Sequence, residues 1–248
     1  MAGHSKWANI KRRKGAQDAK RGKLFTKLLR EVMVAAKQGG PDPGGNPRLR
    51  AAIQECKGSN VPNDKIDKAV AKGSGDLDGA NYEEVTYEGY GPGGVAVMVE
   101  TMTDNRNRTV GEVRHLFSKH GGNLGENGCV SYLFEKRGYF QFEASTMDEE
   151  AFMELALDLE VDDVTMEESG YELLTDPGSY ADIKQQLADR ELQPESGELA
   201  MIPSTTTEVA EKLPQVLRLL EALEDLDDVQ NVWSNVSIDE ALLEAHAG

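Results

Sequence analysis

The chain has 248 residues, of which 39% are hydrophobic and 29% charged; it is too long for one small core and too apolar for disorder, which points to two or three soluble domains. No apolar run approaches the ~20 residues needed to cross a bilayer, and Met1–Trp7 has neither the apolar stretch of a secretory signal nor, with Ala2 in place of the required glycine, the myristoylation pattern. The net charge of −17 is divided unevenly: residues 1–75 hold 17 Lys/Arg against 6 Asp/Glu, a local +11, whereas residues 76–248 hold 10 against 38, or −28.

In chain order, residues 1–22 carry Lys6, Lys11, Arg12, Arg13, Lys14, Lys20 and Arg21 with Asp18 as the single acid. So little apolar surface predicts an arm that is flexible when free or turns helical on contact. From Leu24 the pattern becomes helical: Leu24, Leu28, Val32 and Ala36 form a stripe that Phe25 and Leu29 widen, while Lys23, Lys27 and Arg30 fall off it and face water. Gly39-Gly40-Pro41 ends this helix. Asn46-Pro47 caps and starts a second, with Leu49, Ala52, Ile53 and Cys56 on one face. Asn63 caps a third, with Ile66, Ala69 and Val70 inward. Three such helices make a small bundle, and the Gly/Ser/Asp run 73–79 reads as a linker.

Beyond the linker, strands are predicted at Val85–Glu88 and Val95–Thr101 around a glycine-rich turn. A helix follows at Thr109–His120, and another strand at Val130–Phe134. A second run begins at Tyr139–Phe142. A capping box of Thr146 and Glu149 opens a helix through Leu157, followed by strands at 161–166 and 171–175, a helix at Ser179–Ala188 and a strand near Glu198–Ile202. This β-α-β-β-α-β order is ferredoxin-like. A helix near 206–224, with Pro214 marking a kink or the true start, and a strand at Val229–Trp233 complete the earlier sandwich. The expected fold class is therefore α+β: an N-terminal helical bundle followed by two ferredoxin-like sandwiches, one inserted in the other. The ranges are 1–22 for the arm, 23–75 for the bundle, 82–137 plus 204–238 for the first sandwich and 138–203 for the insertion.

Lysine and arginine neutralise phosphates and release counterions whatever the base sequence. The expected nucleic-acid contacts are thus Lys6, Lys11, Arg12, Arg13, Lys14, Lys20, Arg21, Lys23, Lys27 and Arg30, with Trp7 placed to stack on a base; the bland alternative is a solvated tail. Arg106 and Arg108, basic residues of an acidic body just before a helix, are a secondary phosphate or RNA candidate, against capping by Asp104 or Asn107 and ion pairing. Gly89-Tyr90-Gly91-Pro92-Gly93-Gly94 matches G-x-G-x-x-G, but Val95–Val99 after it is a strand, so a hairpin turn outweighs a nucleotide loop. His115 and His120 lie about 140° apart on a helix, off any shared face, so with Cys129 they make no metal site. Cys56 and Cys129 form no CxxC pair and fit free thiols in a reducing, cytoplasmic setting. Neither a catalytic set nor a cofactor is expected, and the chain is read as non-enzymatic.

Several strings carry a resemblance. Met1-Ala2-Gly3-His4-Ser5-Lys6-Trp7-Ala8-Asn9-Ile10-Lys11, Asp18–Lys23, Asn46-Pro47-Arg48-Leu49-Arg50, Tyr87–Gly94, Asp104–Thr109 and Gly121-Gly122-Asn123-Leu124-Gly125 resemble the YebC family over essentially the whole chain. That resemblance implies a helical domain plus two ferredoxin-like domains. It also implies a role like that of bacterial probable transcriptional regulators or of the mitochondrial translational activator of cytochrome c oxidase. The expected partner is DNA, with ribosomal RNA as the alternative. No membrane is expected, protein partners could meet the acidic domains, and a monomer or weak oligomer is anticipated.

Overall fold

The protein, in a computed structural model, is described over residues 17–75, 77, 81–167 and 170–238. Helix α1 (Gln17–Gly39) packs Leu28, Val32, Ala35 and Ala36 against Leu49, Ala52 and Cys56 of α2 (Pro47–Gly58) and Ile66 and Ala69 of α3 (Asn63–Ser74). Asn46 caps α2 by accepting from the Leu49 amide at 3.1 Å. Two details differ from the sequence reading. Leu24 is 46% exposed, because the bundle's contacts with α1 begin only at Phe25. Asn63 is the first residue of α3 rather than its cap.

The first sandwich has strands β1 (Glu83–Tyr90) and β2 (Ala96–Thr103), helix α4 (Arg106–Lys119) and strand β3 (Asn123–Leu124). After the inserted unit it resumes with β8 (Thr207–Glu208), α7 (Leu213–Glu224), β9 (Val229–Ser234) and β10 (Val236–Ser237). Its four-stranded sheet runs β3-β1-β2-β9, every neighbour antiparallel, and β10 pairs with β8 beside it. Val97 and Val99 of β2, Val232 of β9, Val113 and Phe117 of α4, and Leu213, Val216, Leu219, Leu220 and Leu223 of α7 share one core. Each such side chain contributes roughly 1.5–3 kcal/mol of burial. Pro214 falls in the first turn of α7, so it marks the true helix start, where its missing N–H goes unnoticed.

The inserted unit spans Tyr132–Thr205. It contains β4 (Phe134–Phe142), α5 (Glu149–Asp158), β5 (Asp163–Glu167), β6 (Gly170–Thr175), α6 (Tyr180–Asp189) and β7 (Ser196–Pro203). Its antiparallel sheet runs β5-β6-β4-β7, the ferredoxin-like order, over a core that includes Phe140, Phe142, Phe152, Leu173 and Leu187. The cap of α5 is Asp148, which accepts from the Ala151 amide at 2.8 Å, not the Thr146–Glu149 box.

One strand was misplaced in the sequence. Val130–Phe134 is no strand of the first sandwich. The amides of Val130 and Ser131 instead donate to the buried carboxylate of Glu88 at 2.9 and 2.8 Å, and the Gly128 amide does so at 2.8 Å. Extended structure resumes at Phe134 and runs unbroken through Gly138, where a side chain would strike Thr175 of β6. The missing side chain at this glycine leaves room for the neighbouring strand's threonine.

Gly89 shows how tightly the first sheet meets its edge. A Cβ there would sit 2.5 Å from the carbonyl oxygen of Asn123 and 2.8 Å from the ring of Phe117. Gly89→Ala should cost about 1–3 kcal/mol. In a Trp7→Phe background the buried Trp233 of β9 reports unfolding in urea, and an unchanged midpoint would refute this packing.

Candidate nucleic-acid interface

Three basic side chains of α1, Lys23, Lys27 and Arg30, make contacts within the protein. Lys23 donates from Nζ to the Asp225 carbonyl at 3.0 Å and pairs with its carboxylate at 3.2 Å. Lys27 donates to the Glu224 carbonyl at 3.0 Å. Arg30 donates to the Asp227 carbonyl and pairs with the Asp228 carboxylate at 3.1 Å. These acceptors lie at and just beyond the C-terminus of α7, where free carbonyls and the helix dipole favour cations. Arg30 is only 8% exposed, which corrects its placement as a water-facing phosphate contact. Hydrophobic periodicity located the face of α1 that meets the bundle; it carries no sign of a second, polar contact made by the flank.

Asp228 is the hub of that contact. It is 3% exposed and lies in the turn that leads into β9. One oxygen faces Arg30; the other accepts from Arg108 at 2.6 Å, Thr109 Oγ1 at 2.7 Å and Thr103 Oγ1 at 3.1 Å. Burial by itself would raise its pKa. The hydrogen bonds from Arg108 and Thr109 and the charges of Arg30 and Arg108 outweigh burial and hold it below the usual carboxylate range. The Tyr82 ring lies 5.2 Å from the Arg30 guanidinium carbon, a cation–π contact. A second tie runs through Arg48, which grips Glu31 of α1 at 2.7 and 3.0 Å and Glu84 of β1 at 2.6 Å. Neither Asp228 nor Arg48 stands out by charge in the sequence, because the partners that give each its role lie far away along the chain.

The remaining candidates separate. Lys6, Trp7, Lys11, Arg12, Arg13 and Lys14 lie outside the described residues, and Lys20 and Arg21 fall near the N-terminal end of α1. Arg106 and Arg108 occupy the first turn of α4, which Asn105 caps by accepting from the Arg108 amide at 3.1 Å. Neither Asp104 nor Asn107 is the cap; Asp104 pairs with Arg108 at 2.9 Å. Arg108 is thereby committed to two carboxylates, while the Arg106 side chain is 64% exposed and only 3.9 Å pairs it with Glu83.

The glycine-rich turn is not beside these arginines. It packs on Gly122, past the other end of α4, and 14 residues of helix separate the two places by roughly 20 Å. Gly93 there has φ +77°, and an added Cβ would lie 2.6 Å from Val209. Conformation and crowding thus account for this glycine. Among the described residues no cluster of His, Cys, Asp and Glu is arranged to hold a metal ion, and no helix is long and apolar enough to cross a membrane.

Two family models match the sequence: "TACO1/YebC protein N-terminal domain" over residues 5–76 and "TACO1/YebC second and third domain" over residues 82–236. The chain belongs to the TACO1/YebC family. Relatives in this family include a "probable transcriptional regulatory protein" of Syntrophus aciditrophicus, 52% identical over 98% of both chains. Another with that description, from Geobacter sulfurreducens, is 54% identical over 96% of both. A crystal structure of a conserved hypothetical protein from Aquifex aeolicus superposes with a TM-score of 0.82 at 48% identity, covering 91% of this chain and 94% of that one. The α+β architecture of this TACO1/YebC protein is thus also that of an experimentally determined structure.

Removing the hub's charge should loosen α1 from the sandwich. Asp228→Asn leaves two arginines facing a neutral group and should cost about 3–5 kcal/mol, because a buried pair is broken from one side. The folded pKa is depressed, so the carboxylate's stabilisation is complete above the unfolded value near 4 and fades as pH falls through the folded one. Urea melts between neutral pH and pH 3 should therefore show a smaller acid loss in the variant than in the wild type. Equal acid losses would contradict the assignment.

Proposed function

We propose that this protein is a non-enzymatic, cytoplasmic regulator of gene expression that binds nucleic acid, acting on DNA as a transcriptional regulator and docking by its N-terminal basic segment. The observation that carries this reading is the division of charge, +11 over residues 1–75 against −28 over the rest. Such a molecule approaches a polyanion by one end and is repelled at the other. Lys23, Lys27 and Arg30 hold α1 on the first sandwich, so phosphate contacts pass to the residues before them: Lys6, Lys11, Arg12, Arg13, Lys14, Lys20 and Arg21, with Trp7 for stacking. The relatives' description as probable transcriptional regulatory proteins supports a regulatory role. The free thiols Cys56 and Cys129 suit a reducing compartment. The absence of catalysis is supported by the glycine-rich turn, whose tight approaches are those of packing rather than of a nucleotide cradle.

A second reading, a translation factor on ribosomal RNA, is favoured by the nature of the basic segment. Contacts made by charge grip phosphates of either nucleic acid, and the matching family models join YebC with TACO1 in one description. Sedimentation with ribosomes at physiological salt separates the two, since a promoter-bound regulator stays in the light fractions.

Replacing Lys11, Arg12, Arg13 and Lys14 together with glutamine should weaken binding to a mixed-sequence duplex and flatten the slope of log K against log salt by up to about 4. A wild-type slope in the variant would remove the segment as the contact.

A further inference from the structure

One face of the first sandwich departs from the charge of its surroundings. The chain beyond residue 75 is strongly acidic, yet Lys119 at the end of α4, Lys212 in the turn before α7 and Arg218 on α7 are exposed. None of the three has a carboxylate partner among the described residues. They belong to adjoining segments. A Cβ on Gly121, two residues beyond Lys119, would lie 2.8 Å from Nε2 of Gln215, which places α7 against the turn that follows α4. A Cβ on Gly93 would lie 3.6 Å from Cδ of Lys212, which places that side chain over the glycine-rich turn. His120 lies among them. Burial first, and then the charges of Lys119, Arg218 and His115, hold its pKa below the ordinary imidazole value.

The neighbouring acids do not neutralise this face. Glu112 sits about two helical turns before Lys119, Glu211 adjoins Lys212 and Glu221 follows Arg218 by three residues, but no ion pair joins these acids to the three cations among the described residues, and Glu224 lies at the end of α7 that receives α1. The surrounding side chains include groups that bind phosphodiester oxygens, exposed Gln215, Ser118 and Asn123, and Gly94 leaves open space beside them, since an added Cβ there would meet nothing within 4 Å.

We propose that the face formed by Lys119, Lys212 and Arg218 is a second contact surface for the phosphate backbone of nucleic acid, separate from the N-terminal segment. It rests on the nucleic-acid reading above and adds a site to it. The glycine-rich turn then has a role beyond closing a hairpin: having no side chain at Gly94, it lets a phosphate chain approach the lysine closely.

The test uses the full chain and two fluorescent probes of one mixed sequence, a DNA duplex and an RNA duplex, each titrated over a salt series. The Lys119→Gln/Lys212→Gln/Arg218→Gln variant should flatten the DNA slope by about 2–3, since three phosphate contacts are lost. The charge-retaining Lys119→Arg/Lys212→Arg/Arg218→Lys variant should restore the slope, and a larger effect on one probe identifies the nucleic acid that the face contacts. Should the glutamine variant keep wild-type slopes on both probes while neutralisation of Lys11–Lys14 flattens them, the second surface is overturned and the nucleic-acid reading stands; an acidic protein would then be the occupant to seek. Absence of salt-dependent binding by the wild type to either probe would overturn both.

Discussion

The carboxylate of Asp228 joins α1, whose apolar residues pack in the bundle's own cluster, to the first sandwich, whose apolar residues form another. It is nearly sealed from water, yet it serves Arg30 from α1, Arg108 and Thr109 from α4, and Thr103 from β2. A buried charge of this kind is tolerated only when every partner is present, because the loss of one leaves the others desolvated and unpaired. The consequence is geometric. Helix α1 is fixed on two sides, by apolar packing in the bundle and by ions and carbonyls at the end of α7.

The elements themselves were largely legible, because local periodicity and capping dictate them. The bundle's buried face, the Asn46-Pro47 helix start and the β-α-β-β-α-β order of the insertion all follow from patterns within a dozen residues. Failures occurred where a distant partner overrides a local sign. Val130 and Ser131 look like strand residues, but their amides are claimed by Glu88, some forty positions earlier. The predicted start of the second run at Tyr139 falls inside β4, which passes through Gly138 with the Thr175 side chain against it. Arg30 looks like a free cation until Asp228, near the far end of the chain, is brought beside it. Polar contacts between remote segments leave no periodicity to read, so the ionic seam was the part that the sequence concealed.

The same seam changes how the charge division is understood. The basic third of the molecule is not uniformly available to a ligand. Part of it is spent internally, where Lys23, Lys27 and Arg30 neutralise the end of α7 and Arg48 joins Glu31 to Glu84. On the reading proposed above, what is left for a polyanion is the N-terminal segment through Arg21 and exposed cations of the bundle such as Lys57 and Lys72, while the acidic sandwiches present carboxylates that repel it, with the Lys119–Lys212–Arg218 face as the local exception. Specificity for a base sequence does not follow from such contacts, which position a nucleic acid rather than read it.

The most direct measurement is ultraviolet cross-linking in cells, followed by mass spectrometry of the peptides that carry nucleotide adducts. Adducts confined to residues 1–22 and to the face around Lys119, Lys212 and Arg218 are the outcome expected here. Adducts concentrated in the inserted unit Tyr132–Thr205 would contradict a molecule that meets its polyanion through its basic front.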